Sequence, residues 1–398
     1  MWKYIKSRFG DLVRSYFDEF RLVFHDGGII LFFCFLPLAY PIIYSLIYNP
    51  EVVRDVKMVV VDHDRTSKSR ELVRSLDACQ EIRITGYAAD LGEAKRAMHG
   101  HDCYGILEIP DGFSKKLGRG EQSPAVIYSD MSLLLRYRGF LVAATNVAQE
   151  MGAGLLEEKI GHTLPIAATI STGDPLPVEN ISMGNIENGF DSFIMPGVLV
   201  LILHQCIVLA SGMAGGARRE RTRRGCGEET GSVAMSMAGE MLCYMTILLV
   251  PVMFLLHYVP LIFSFPMAGS AFEIFLFILP MVIACMGLGF CFQSIVWERE
   301  AVFVLWVVTS VALLFLSGLT WPRYAMSPLW SFIGDMLPAT WGVEGFIKMN
   351  ANGSSLAQVR AEYVNLWLLA AFYLVAGYCL RRWVMRPSLQ RAGRSAVG

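Results

Sequence analysis

Charge is scarce in this sequence. Asp, Glu, Lys and Arg make up 17% of its 398 residues, against 54% hydrophobic, whereas soluble domains carry about a quarter charged. That balance disfavours a wholly soluble fold. Several motifs are missing as well. No GxxxxGK[ST] stretch occurs, the loop whose backbone amides and lysine grip phosphates, so the chain is not expected to hydrolyse ATP itself. None of the nine cysteines forms a CxxC pair, which leaves zinc-ribbon and thiol-redox readings without support. The basic N-terminal stretch is too long for a cleavable signal peptide, and no small-residue cleavage site follows the first apolar run. A formal net charge of -1 says nothing about nucleic acid by itself, and no such partner is expected.

What the chain has instead is long apolar runs. About 20 helical residues match a hydrocarbon core of about 30 Å. Six runs reach or approach that length: 27–50, 192–217, 241–259, 274–297, 301–322 and 363–380. Prolines 37, 41, 251 and 280 sit inside them, which membrane helices tolerate where neighbours re-satisfy the freed backbone. Ahead of the first run, residues 1–26 carry Lys3, Lys6, Arg8, Arg14 and Arg21, with Phe9, Leu12, Val13, Tyr16, Phe17, Phe20 and Phe24 at helical spacing. This pattern predicts an amphipathic helix at a membrane surface.

Residues 51–190 differ in character. Strand patterns at 56–64, 82–87, 103–110 and 125–130 alternate with helix patterns, and a long helix is expected from near Ser132 towards Ile160. The expected fold is therefore an α-helical integral membrane protein of six transmembrane helices with an α/β domain inserted between the first two. A Cys79–Cys103 disulfide is left open, on condition that the insert lies in an oxidising compartment.

Orientation follows from Lys and Arg in short loops. The N-terminal segment, the 215–225 loop, the 297–300 turn and the tail from Arg381 hold sixteen; Arg323, Lys348 and Arg360 are the three opposite them. Both termini, including the 384–398 tail, are thereby expected in the cytoplasm and the inserted domain outside.

Five places could carry function. In GGARRERTRRGCGEETG, residues Arg218, Arg219, Glu220, Arg221, Arg223 and Arg224 either pin a loop inside or dock an acidic cytoplasmic partner. His204 and Gln205 lie in mid-span, where polar groups line a pathway or bond a neighbouring helix. His63, Asp64, His99, His101 and Asp102 offer metal-ligand chemistry without fixed ligand spacing, so a solvated loop is the plainer reading. Glu298, Arg299 and Glu300 form a turn that either meets a partner or is simply hydrated. Finally, SGLTWPRYAMSPLWSFIGDMLPATWGVEGF (317–346) stays apolar while Pro322, Pro328 and Pro338 break it. It reads as re-entrant or interfacial pieces within 318–350, with Glu344 as its most enclosed charge or a hydrated rim carboxylate.

This arrangement resembles the permease subunit of type-2 ABC transporters, the exporter class, over nearly the whole chain. The closest local matches are SGLTWP at 317–322, Met326, the LP-x-T around Leu337, Pro338 and Thr340, the GF at 345–346, and the charged run RRERTRRG at 218–225. Where the commoner family version continues into a GTLE-like helix, CGEETGS follows here. The resemblance implies two paired permeases, identical or paralogous, over two separate ATP-binding subunits that carry ATP and Mg²⁺. It implies that Arg218, Arg219, Glu220, Arg221, Arg223 and Arg224 form the ATPase-coupling segment. His204, Gln205, Pro322, Pro338 and Glu344 would belong to the pathway or its outer gate. A membrane-fusion protein and an outer-membrane channel are further partners that the large outer domain suggests. The alternative is a membrane receptor or assembly scaffold whose outer domain binds a ligand.

Overall fold

The computed structural model describes residues 2–48, 53–119, 121–160, 189–223, 232–295 and 301–395. The chain divides into two compact units, one formed by 1–49 with 182–398 and the other by 50–181.

In the second unit, β1 (Val56–Asp62) lies between β2 (Ile82–Tyr87) and β3 (Gly105–Ile109), parallel to both, and β4 (Val126–Ser129) closes one edge antiparallel to β3. Successive strand residues point to opposite faces, and the pattern VKMVVVD uses both. Met58 and Val60 face a core with Leu72, Val73 and Leu76 of the Ser67–Asp77 helix and Phe140, Ala143 and Val147 of the long Leu134–Ile160 helix. Val61 faces the other way, with Ile106, Cys103 and Ala94 of the Leu91–His99 helix. Caps start both shorter helices. Thr66 Oγ1 accepts from the Ser69 amide at 3.3 Å while Ser69 Oγ accepts from the Thr66 amide at 3.0 Å, a reciprocal box. Asp90 accepts from the Glu93 amide at 2.7 Å. Cys79 packs in the first core and Cys103 in the second, and both are free thiols. The sheet stands between them, so the disulfide left open from sequence is not made.

In the first unit, α1 (Trp2–His25) precedes a bundle in which, among the described residues, five helices are long and apolar enough to cross a membrane: Gly27–Ile47, Phe190–Thr222, Val233–Ile262, Ala271–Ile295 and Arg360–Val384. The Phe190–Thr222 and Ala271–Ile295 helices are the most enclosed. They approach closely where small residues allow it. A Cβ on Gly289 would overlap Ser211, and one on Gly215 would sit 2.6 Å from Gln293 Cδ. Two spans contain a π turn, Leu31–Phe35 and Phe254–Tyr258, where Leu36 N–H reaches Leu31 O and Val259 N–H reaches Phe254 O. Proline follows within two residues each time (Pro37, Pro260). The widened turn supplies backbone bonds where proline removes one.

Several expected boundaries move. The second span does not end at 217 with its arginines in a loop: the helix continues to Arg223. The fifth does not reach 322. Its described helix is Ala301–Leu316, 16 residues, because Ser317 Oγ bonds back to Leu314 O at 3.0 Å and Gly318 turns left-handed at φ +85°, which favours glycine. At about 1.5 Å per residue it is shorter than the hydrocarbon core. The last helix is longer than expected, Arg360–Ser395, and takes in most of the predicted tail.

Candidate functional site

Polar side chains gather at three depths of the bundle. Near the end of the Phe190–Arg223 helix, Arg218 enters a cluster built from five helices. Its Nε lies 3.4 Å from Glu19 Oε2 of α1, it pairs through Nη1 with Glu240 of the Val233–Ile262 helix, and its Nη2 donates to Gln293 Oε1 at 3.2 Å. Arg381 of the last helix donates both Nη groups to Glu240, at 2.8 and 3.0 Å. The Tyr244 hydroxyl donates to Glu19, and Gln293 Nε2 donates to Ser211 O at 2.5 Å. Glu19 and Glu240 are buried. Beside the cluster, Gly239 lets the backbone of α1 approach, since a Cβ there would lie 2.6 Å from Leu12 O.

The charged run therefore divides. Arg218 points inward, Arg219 and Glu220 are half-buried, and Arg221 is exposed. Arg223 ends the helix without a described side chain. Arg224 lies outside the described residues, as do Glu298, Arg299 and Glu300. Sequence reasoning missed Glu19, Glu240, Tyr244 and Arg381. The available signal was Glu240 itself, a lone acid at the start of an apolar helix.

At mid-depth, His204 is 2% exposed and neither ring nitrogen has a hydrogen-bond partner; Gln205 Nε2, Ser45 Oγ and His257 Nδ1 are likewise buried and unpartnered. The interhelical hydrogen bond considered for His204 is not made. Ser45 is on the Gly27–Ile47 helix and His257 in the π turn of the Val233–Ile262 helix, and both elements pack on the His204 helix. At 1.5 Å per residue His204 lies about 21 Å from Arg218 and His257 about 25 Å from Glu240. His204 and His257 therefore stand at comparable heights above the Arg218 cluster. Buried polar atoms are otherwise almost always bonded.

The third cluster lies at the opposite end, where Leu319 packs at Gly197 near the start of the Phe190–Arg223 helix. Pro322 caps a short 3-10 turn, Arg323–Ala325, and Pro328 and Pro338 open the Pro328–Asp335 and Pro338–Asn352 helices. A proline at the first helical position loses no hydrogen bond. Arg323 pairs with Asp335 and, at 2.8 Å, with Glu344, and lies 4.5 Å above the Trp341 ring. Lys348 bridges Glu344 at 2.8 Å and Glu362 at 2.5 Å. Burial would raise the Glu344 carboxyl, but its bonds to Lys348 and Arg323 outweigh that and hold it below the usual range. Glu344, its side chain 32% exposed, is thus a member of this ion network.

In the second unit, Asp64 Oδ2 accepts from Thr66 Oγ1 at 2.6 Å and from the Ser114 amide at 3.1 Å, and His63 Nε2 lies 3.7 Å from Glu108. Among the described residues no three His, Cys, Asp or Glu side chains are arranged to hold a metal.

A bundle of helices long and apolar enough to span, with ion networks at its two ends, is the architecture of a multi-pass membrane protein. Residues 28–379 match the model of the ABC-2 family transporter proteins, and the chain belongs to that family. Its members are transport permeases, not catalytic by themselves, and membership implies an ABC ATPase subunit as partner. No curated protein matches the sequence.

Proposed function

We propose that this chain is the permease subunit of an ATP-driven exporter. It pairs with a second copy or a paralogue to enclose the translocation pathway, and separate ATPase subunits bind ATP and Mg²⁺ beneath it. The Arg218 end of the bundle faces the cytoplasm of a cell inner membrane with both termini, and residues 51–190 face the periplasm or exterior. There the domain meets a membrane-fusion protein and an outer-membrane channel, as in multidrug efflux. His204, Gln205, Ser45 and His257 supply polar contacts along the path. The segment 318–350 forms the outer gate.

The observation that carries this reading is the family match across the whole bundle of a chain without a nucleotide-binding motif. Sixteen Lys and Arg on one set of short segments against three on the other support the orientation. The test is purification of the tagged chain from its native membrane. An ABC ATPase should accompany it, and the reconstituted complex should pump a fluorescent amphiphile out against its gradient only with ATP. A chain that purifies without any ATPase and moves nothing would favour the receptor or scaffold. A tag after residue 120 reached only from the cytosol would reverse the orientation.

A further inference from the structure

The ion cluster around Arg218 is balanced: two carboxylates, Glu19 and Glu240, face two guanidinium groups, Arg218 and Arg381. Side-chain exposure is 3% for Glu19, 1% for Glu240, 18% for Arg218 and 11% for Arg381. Charges so enclosed are a poor way to gain stability, because desolvation offsets most of their attraction and apolar residues of the same volume would hold the helices as well. What such a set provides is geometry. Arg381 grips Glu240 with two parallel bonds, and paired bonds of this kind fix direction as well as distance. Each element contributes one polar residue or a pair, and no two neighbours along the chain make the set alone.

We propose that Glu19, Arg218, Glu240 and Arg381 form a joint. Through it α1 and the ends of the Phe190–Thr222, Val233–Ile262, Ala271–Ile295 and Arg360–Val384 helices move as one body. Gln293 and Tyr244 complete it by bonding Arg218 and Glu19. Resting on the permease reading for its source of motion, the joint carries a displacement of α1 by the ATPase into four spans at once. Arg218 is then a positioning residue that acts inside the bundle and not a contact with the ATPase.

The test uses the full chain in lipid nanodiscs, first alone. Hydrogen exchange is followed in segments 8–25, 211–222, 236–244 and 373–384. Glu19→Gln leaves Arg218 underpaired, and exchange should quicken about tenfold or more in all four segments together, as one cooperative unit loosens. Acceleration confined to 8–25 would overturn the joint. Tyr244→Phe removes one hydrogen bond and no charge; it should give the same pattern at smaller amplitude, and serves where Glu19→Gln does not fold. The second arm adds the ATPase that co-purifies with the chain. Arg218→Gln should keep that ATPase bound while ATP no longer changes exchange at 323–335, and Arg218→Lys should recover part of the response. Loss of the ATPase from Arg218→Gln would mark Arg218 as a docking contact and overturn the proposal. A wild-type chain that binds no ATPase counts against the permease reading alone, because the first arm involves no nucleotide.

Discussion

Arg323 donates through Nη1 to Glu344 Oε2 at 2.8 Å, across a separation of 21 residues. The bond ties the turn after the Ala301–Leu316 helix to the middle of the Pro338–Asn352 helix. With Asp335 and the Trp341 ring also on Arg323, one guanidinium holds three parts of the proline-broken segment. Arg323→Met should therefore lower the apparent unfolding temperature in detergent, by a destabilisation of about 1–3 kcal/mol, since two acids lose a charged donor. Arg323→Lys should fall between, because an ammonium keeps the charge but neither forks between two carboxylates nor stacks on indole. Equal unfolding temperatures for all three proteins would show that the segment is held by its apolar contacts.

The same network sets a pH dependence. Although burial opposes the shift, Lys348 and Arg323 hold the Glu344 carboxyl below its ordinary value. Its contribution is complete above the unfolded value, about 4.3 for Glu, and fades as pH falls through the lower folded value. Lys348 runs the other way. Burial alone would depress it, but Glu344 and Glu362 raise it, so its contribution is complete below the unfolded value, about 10.4 for Lys, and fades as pH rises through the higher folded value. The unfolding-temperature gap between wild type and Glu344→Gln should be widest between those limits and shrink towards acid. A gap that stayed constant down to acid would remove Glu344 from the network.

The legible features were the locally encoded ones. Alternation in VKMVVVD and IRITGY placed β1 and β2, and uninterrupted apolar runs placed the spans. Ends were less legible. The helix from Phe190 continues through a charged run because Glu19 and Glu240, distant in sequence, neutralise Arg218 in the fold. Hydropathy counts that arginine as a reason to stop. The fifth helix stops early because Gly318 adopts φ +85°, and a glycine in an apolar stretch does not announce its conformation. Ser45 and His257 were missed because a single polar residue in a long apolar run carries no pattern. Only packing brings their helices against that of His204.

Gly105 opens β3 directly under the Phe140 ring, where a Cβ would lie 2.6 Å from Cζ and 2.9 Å from Cε1. Phe140 is fully buried, so the ring has little room to yield. Gly105→Ala should cost about 1–3 kcal/mol through overpacking, read as earlier unfolding of the α/β unit in differential scanning calorimetry. Gly112→Asn makes a control: its φ of +76° suits Asn better than most residues, and nothing lies near its Cβ. That variant should unfold close to wild type.

Cys79 and Cys103 report on the sheet between them. Burial raises the Cys79 thiol, and Glu81 and Glu150 raise it further; burial and then Asp102 raise Cys103. Both thiols therefore hold little reactive thiolate at neutral pH. A maleimide should modify them slowly in the folded protein and fully in denaturant without added reductant. A Cys79–Cys103 cross-linked peptide recovered under non-reducing digestion would contradict the two-faced packing.

His204 separates stability from transport. Its two ring nitrogens are buried without partners, and an unmade hydrogen bond inside an apolar bundle costs about 1–3 kcal/mol for each group. His204→Leu removes both groups and keeps an apolar side chain in their place, so the variant should unfold at a higher temperature than wild type. If the imidazole serves passing substrate, the same variant should move less of the fluorescent amphiphile per ATP hydrolysed, the trade expected where a site is kept strained for function. A variant both more stable and equally active would assign His204 no role in the pathway. One less stable would mean that its nitrogens are satisfied in the membrane, and the mid-depth groups would then form a structural contact between the Gly27–Ile47, Phe190–Thr222 and Val233–Ile262 helices.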